Sequence, residues 1–151
     1  MDYESINKSL QALFDGVDYE MSNLSNASAL LNEHLTDINW VGFYLYLDGK
    51  LILGPFQGKT ACTEIPMGKG VCGSAAEKGE AIVVHDVHKF EGHIACDSAS
   101  NSEIVLPIFK NGRLYGVLDI DSPVFCRFDE NDLNGLRKTV KIIEEMLERI
   151  N

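Results

Sequence analysis

Two apolar segments late in the chain, Ile104-Val105-Leu106-Pro107-Ile108 and the run from Leu114 to Asp121, constrain the fold most. They read as strands joined across Lys110-Asn111-Gly112, so their buried faces must agree. If Asn111-Gly112 alone formed the loop, Ile104 would lie opposite Asp119 and the apolar faces would conflict. A three-residue loop with Gly112 as a bulge instead pairs Ile108 with Leu114, Leu106 with Gly116 and Ile104 with Leu118, and this is the expected register. It sets Glu103 across from Asp119 on the opposite face, with Asp121 two residues further along. Like charges paired across strands are destabilising, so the cluster requires a cation, a shared proton or full solvation. Asp119 and Asp121 also interrupt the apolar run Val117-Leu118-Ile120, which marks the cluster as a candidate site rather than a solvated edge.

The rest of the pattern supplies what such a hairpin needs to be buried. Residues 38–47 alternate, with Val41, Phe43, Leu45 and Leu47 on one face and Trp40, Gly42, Tyr44 and Tyr46 on the other. Asp48-Gly49 turns that strand into a second at 51–53. Helical spacing covers 3–14 and 21–35, where Leu24, Ala27 and Leu31 form a stripe, and a short helix at 71–78 ends at Gly79. A strand follows at 81–84. The last helix, capped near Asp129, carries Leu133, Leu136, Val140, Ile143, Leu147 and Ile150 as a seam facing the core, a partner, or both. Two long loops, 54–70 and 85–102, remain, and loops of that length usually carry function. The sum is an α+β fold, with helices on one face of a mostly antiparallel sheet and the two loops closing over the other. At 151 residues, one domain spanning 1–151 is expected.

Charge and cysteine usage narrow the function classes. A formal net charge of -10 repels phosphate backbones, so nucleic-acid binding is not expected. The chain opens Met1-Asp2-Tyr3-Glu4 and contains no apolar run of membrane-spanning length, so a cytoplasmic protein is expected, with its thiols reduced. Cys62, Cys72 and Cys96 fall in or beside the two loops. Cys72 opens a predicted helix whose N–H groups would lower a thiol pKa, and Cys96 sits near a polar bend. Either is a candidate nucleophile, weighed against a buried inert thiol; Cys126 is read only as inert. His85, His88, His93 and Cys96 have spacings zinc could use, but they lack paired ligands on turns and no metal is expected. Trp40 and Tyr44 share a strand face and read equally as an aromatic wall or as core packing.

Six segments then align with one known family. Trp40-Val41-Gly42-Phe43-Tyr44, Gly54-Pro55-Phe56-Gln57-Gly58-Lys59, Gly68-Lys69-Gly70-Val71-Cys72-Gly73, Gly92-His93-Ile94-Ala95-Cys96-Asp97, Ser100-Asn101-Ser102-Glu103-Ile104-Val105-Leu106-Pro107 and Gly116-Val117-Leu118-Asp119-Ile120-Asp121-Ser122-Pro123 resemble, in order, those of the free methionine-(R)-sulfoxide reductases, enzymes built on a GAF domain. The resemblance implies a six-stranded antiparallel GAF sheet, a homodimer and a pocket roofed by the two loops. It also implies roles: Cys96 as nucleophile, Cys62 as the resolving cysteine and Cys72 as a third redox cysteine. Trp40 and Tyr44 would form an aromatic wall, and Glu103, Asp119 and Asp121 would hold the substrate.

Sulfoxide reduction needs a thiolate to attack sulfur and an acid to protonate the departing oxygen. One of the three clustered carboxylates could keep a proton for that task. Cys96 would become a sulfenic acid, Cys62 would condense with it to a disulfide, and thioredoxin, drawing ultimately on NADPH, would restore both; no bound cofactor is expected. The carboxylates also favour a free amino acid, since a methionine within a chain has no α-ammonium to pair with them. Two rivals remain: a GAF sensory module that binds a small ligand and can dispense with its cysteines, and a zinc-dependent hydrolase or deaminase on the histidine loop.

Overall fold

Alternating side chains write one sheet with two different faces. In the computed structural model, which describes residues 2–92 and 99–150, β1 (Trp40–Leu47), β2 (Lys50–Gly58), β3 (Glu64–Pro66), β4 (Ile82–Val84), β5 (Ser102–Lys110) and β6 (Arg113–Ser122) pair antiparallel in the order β3-β2-β1-β6-β5-β4. The α+β class and six-stranded antiparallel sheet are as expected. Three helices, α1 (Tyr3–Phe14), α2 (Glu20–His34) and α4 (Glu130–Ile150), cover one face and bury Val41, Phe43, Ile104, Leu106, Ile108, Leu118 and Ile120. Burial of each such side chain contributes about 1.5–3 kcal/mol, so this face is the main source of stability. The fourth helix, α3 (Gly70–Lys78), lies with the opposite face, against Val84, Val105 and Val117. The expected segregation of helices to one face therefore holds for three of the four. Among the described residues no helix is long and apolar enough to cross a membrane.

The C-terminal helix starts where Asp129 predicts. Asp129 Oδ1 accepts from the Asp132 amide at 3.0 Å, and Asp132 Oδ2 accepts from the Asp129 amide at 3.0 Å, a reciprocal cap. Tyr3 Oη donates to Asp132 Oδ1 at 2.5 Å, tying α1 to the same cap. The seam of α4 belongs chiefly to the core: Leu136, Val140, Ile143 and Leu147 are buried there, and Leu133 and Ile150 pack at its margin.

The β5–β6 register differs from expectation in an instructive way. Asn111 and Gly112 form a two-residue turn, both left-handed at φ 52° and 77°, between the paired Lys110 and Arg113. The pairing then slips at a bulge between Ile108 and Phe109, so that Ile108 faces Gly116, Leu106 faces Leu118 and Ile104 faces Ile120. Turn and bulge together shift the register by two residues from the expected one, which leaves every side chain on its predicted face. What changes is the partner: Glu103 lies across from Asp121, and Asp119 across from Val105.

The first long loop is also more ordered than its glycines and prolines suggest. β2 runs on to Gly58 and β3 forms within the segment read as loop, while the described residues of the second loop hold a 3-10 turn at Val87–Lys89. Pro55 is tolerated because it falls in a bulge of β2, where Gly54 and Pro55 together oppose the single residue Phe43 of β1. β1 and β2 shift register between Gly42 and Tyr44, and Phe56 faces Gly42 so closely that a Cβ there would sit 2.3 Å from the Phe56 Cβ. Gly42→Ala is expected to cost about 1–3 kcal/mol by this collision, read by urea denaturation, and to alter the emission of the single tryptophan, Trp40. Unchanged stability would show that β2 moves aside freely.

Candidate active site

The sheet face opposite the three helices carries polar side chains where a core would be apolar. Trp40 and Glu103 both pair across Asp121, and Gly42 and Val105 both pair across Asp119. Strand alternation thus puts Trp40 and Tyr44 of β1 and the three carboxylates on one face, and Cys72 of α3 packs over them. A pocket opens there, lined by Trp40, Tyr44, Cys72, Glu103, Asp119 and Asp121 and rimmed by Thr60, Ala61, Lys69 and Ser100. Of the eight expected site residues, Trp40, Tyr44, Cys72, Glu103, Asp119 and Asp121 line it directly, Cys62 is not among its lining residues, and Cys96 lies outside the described residues.

Aromatic stacking builds one wall, and its polar atoms fasten the loop bearing Cys62 to it. Trp40 stacks on Tyr44 at 5.9 Å between ring centroids and on Phe56 at 5.2 Å. Phe56 was not singled out from sequence; its signal is Gly42, whose missing side chain lets it approach. The polar ends of the wall point the same way. Trp40 Nε1 donates to the Lys59 carbonyl at 3.1 Å, and Tyr44 Oη donates to the Cys62 carbonyl at 2.8 Å. Cys62 is half-buried and disulfide-bonded, while Cys72 and Cys126 are free thiols, the first buried and the second exposed. Cys96 and His93 lie outside the described residues. His85 and His88 are exposed, and His88 Nδ1 pairs with Asp86 at 2.9 Å.

The electrostatics of the pocket floor follow from burial. Glu103 and Asp119 are both more than nine-tenths buried, and no cationic side chain neutralises them in the described structure. Desolvation, reinforced by the charges of Asp119 and Asp121, pushes the Glu103 carboxyl well above the usual carboxylate range. Asp119 is raised as well by desolvation, but hydrogen bonds from Glu103, Cys72 and Asp121 work against the rise. Of these two carboxyls, Glu103 keeps a proton the more readily. Cys72, with Sγ 3.8 Å from Glu103 Oε2, is pushed well above the ordinary thiol range by desolvation and by the three carboxylates. The lowered pKa expected from its place in the first turn of α3 is thus overturned: burial beside anions outweighs the helix dipole.

Such a floor can bind a cationic group and can protonate a leaving oxygen. The wall beside it suits a small apolar or sulfur-containing group. Comparison with known proteins gives a consistent picture. Residues 24–148 match the family model described as GAF domain. The chain is 54% identical over 145 residues to the free methionine-R-sulfoxide reductase of Escherichia coli (strain K12), covering 96% of this chain and 88% of that protein. It is similar to the solved structure of fRMsr of Staphylococcus aureus in complex with substrate, with a TM-score of 0.93, 53% identity and coverage of 97% and 95% of the two chains. It is similar also to free methionine-R-sulfoxide reductase from Neisseria meningitidis in complex with its substrate, at TM-score 0.93, 44% identity and coverage of 97% and 88%.

A raised carboxyl pKa has a defined effect on stability. The folded chain holds the Glu103 proton more tightly than the unfolded chain, whose glutamate titrates near ~4.3. The stabilisation it brings is complete below that value and is lost as pH rises through the folded-state pKa. Glu103→Gln, neutral throughout, should accordingly be more stable than the native protein at pH ~8 by about 1 kcal/mol or more, the difference vanishing near pH ~4. Thermal unfolding across that range tests it, and a difference independent of pH would rule out titration of Glu103 as the cause.

Proposed function

The chain belongs to the GAF-domain family of free methionine-R-sulfoxide reductases, and from that premise we propose that it reduces free L-methionine (R)-sulfoxide to methionine by cysteine redox chemistry. What carries the reading is the convergence of an aromatic wall, two buried carboxylates and a redox-active loop on one pocket. The methyl sulfoxide end of the substrate lies against Trp40 and Tyr44. Its α-ammonium meets Asp119, Asp121 and Glu103, and Lys69, exposed on the rim beside the start of α3, is placed to take the carboxylate. A peptide methionine lacks that ammonium, so its binding would leave the buried carboxylates unpaired, a cost of several kcal/mol in systems of this kind.

The chemistry assigns one proton and one oxygen to named atoms. The Cys96 thiolate attacks the sulfoxide sulfur while Glu103, the carboxyl that burial keeps protonated, donates to the oxygen. The oxygen passes to Cys96 as a sulfenic acid, and methionine leaves with the electron pair. Cys62 then condenses with the sulfenic acid, forming a disulfide and releasing water. Its disulfide-bonded state, with Cys72 and Cys126 both free, supports Cys62 in that role. Cys72, held as a thiol among carboxylates, enters only as a later exchange partner. Thioredoxin, reduced in turn from NADPH, regenerates the enzyme by dithiol exchange, and the protein acts in the cytoplasm as a homodimer.

The direct test supplies both epimers of free methionine sulfoxide with excess dithiothreitol and follows each by chiral chromatography. Loss of the R epimer alone, absent in Cys96→Ser, is the expected result; a folded, reduced protein that consumes neither epimer refutes the proposal in favour of a ligand-binding module. A second test isolates the loop. Tyr44→Phe keeps the stacked wall and removes only the hydroxyl that holds the Cys62 carbonyl. It should leave KM nearly unchanged, slow turnover by about tenfold through misplacement of the resolving thiol, and prolong a sulfenic acid trappable by dimedone. A rise in KM at unchanged kcat would instead place the hydroxyl in substrate binding.

A further inference from the structure

Cys72 Sγ, a Glu103 oxygen and an Asp119 oxygen all lie within 4.8 Å of one another, and all three residues are buried. The Cys72 Sγ to Glu103 Oε2 distance is 3.8 Å. In a tetrahedral site with sulfur about 2.3 Å and oxygen about 2.0 Å from the ion, that edge measures roughly 3.5 Å. Small rotations would therefore close the three atoms on one cation. A thiolate with two carboxylates suits a borderline, thiophilic ion such as Zn²⁺, whereas Mg²⁺ and Ca²⁺ select all-oxygen surroundings. Asp119 adds an independent indication. Its Oδ1 is fully buried, belongs to a side chain only 5% exposed, lines the pocket and has no hydrogen-bond partner among the described residues. A buried acceptor left in that condition is costly until something electropositive completes it.

We propose that Cys72, Glu103 and Asp119 form a binding site for a divalent thiophilic cation, which excludes the substrate ammonium and so blocks the pocket reversibly. The exclusion rests on the function proposed above; the site itself rests on the three side chains. This placement differs from the histidine loop considered from sequence, where His88 is engaged with Asp86 and exposed. Three protein ligands leave a tetrahedral ion one open position, facing the pocket. The cation would occupy the floor on which the ammonium settles, so ion and amino acid cannot be bound together.

The experiment titrates Zn²⁺ into reduced, full-length Cys96→Ser protein, in which no substrate is consumed, by isothermal calorimetry. Co²⁺ provides a second probe, through its sulfur-to-metal charge-transfer absorption. One equivalent of Zn²⁺ is expected, weakened more than about 100-fold by Cys72→Ser and separately by Asp119→Asn, and unaffected by Cys126→Ser or Cys62→Ser. Cys72→Ser should abolish the Co²⁺ charge-transfer band, and free methionine sulfoxide should weaken Zn²⁺ in proportion to its concentration. Binding that survives both ligand substitutions, or that moves with Cys62 or Cys126, overturns the site. Zn²⁺ affinity indifferent to methionine sulfoxide, when the Cys96-containing protein turns that sulfoxide over, overturns the exclusion. If that protein has no turnover but Zn²⁺ still follows Cys72 and Asp119, the site stands and the proposed reaction fails.

Discussion

Two buried carboxylates on the face of an otherwise apolar sheet are the constraint from which the rest of this structure follows. Glu103 and Asp119 sit where β5 and β6 would ordinarily place valine or isoleucine, with Asp121 beside them. An isolated ionised carboxylate there would be prohibitive, so the fold relieves the charge by holding a proton on Glu103 and by sharing hydrogen bonds within the cluster. The relief is partial, and Asp119 Oδ1 remains without a partner among the described residues. A pocket floor in that state is stabilised by any cation that reaches it, which makes ligand binding and relief of strain the same event.

Keeping such a floor requires a strong opposite face. The apolar side chains of β1, β5 and β6 that pack under α1, α2 and α4 supply it, and the period-two alternation separates the two functions residue by residue. Trp40 and Tyr44 complete the division, because their rings wall the pocket while their polar atoms grip the carbonyls of Lys59 and Cys62. On the function proposed above, the surface that recognises the substrate is thereby the surface that seats the segment bearing Cys62, and recognition and disulfide chemistry share one mechanical support.

The faces of the strands were legible in the sequence because alternation depends only on parity. The expected β5–β6 register was two residues out, yet it placed Glu103, Asp119 and Asp121 together correctly, since a two-residue slip preserves the face. The turn and the bulge were harder to read: Asn111-Gly112 suits a two-residue turn, but the compensating extra residue, Tyr115 beside Gly116, shows itself only once the strands are paired. The continuation of β2 through Pro55 was hidden for a related reason: proline argues against a strand unless it falls at a bulge, and that bulge appears only when β2 is paired with β1. Phe56 was likewise silent, because its place beside Trp40 is licensed by an absent side chain at Gly42 on another strand. The sign of the Cys72 shift required tertiary structure as well; sequence gave the helix start but not the anions beneath it.

That last reversal bears on how the cysteines divide their work. Burial and the carboxylate floor together suppress the thiolate of the cysteine beside them, pushing the Cys72 thiol well above its ordinary range. A nucleophile needs the opposite environment, so it cannot come from the floor. On the function proposed above it comes from another segment and reaches the sulfoxide that Glu103 protonates. Trp40 and Tyr44 serve both parts: their rings line the pocket with the carboxylates, and their polar tips hold the carbonyls of Lys59 and Cys62. On that same function, acid and thiol come from different elements of the fold, Glu103 from β5 and the thiols from the loops, and meet only at the sulfoxide they both act on.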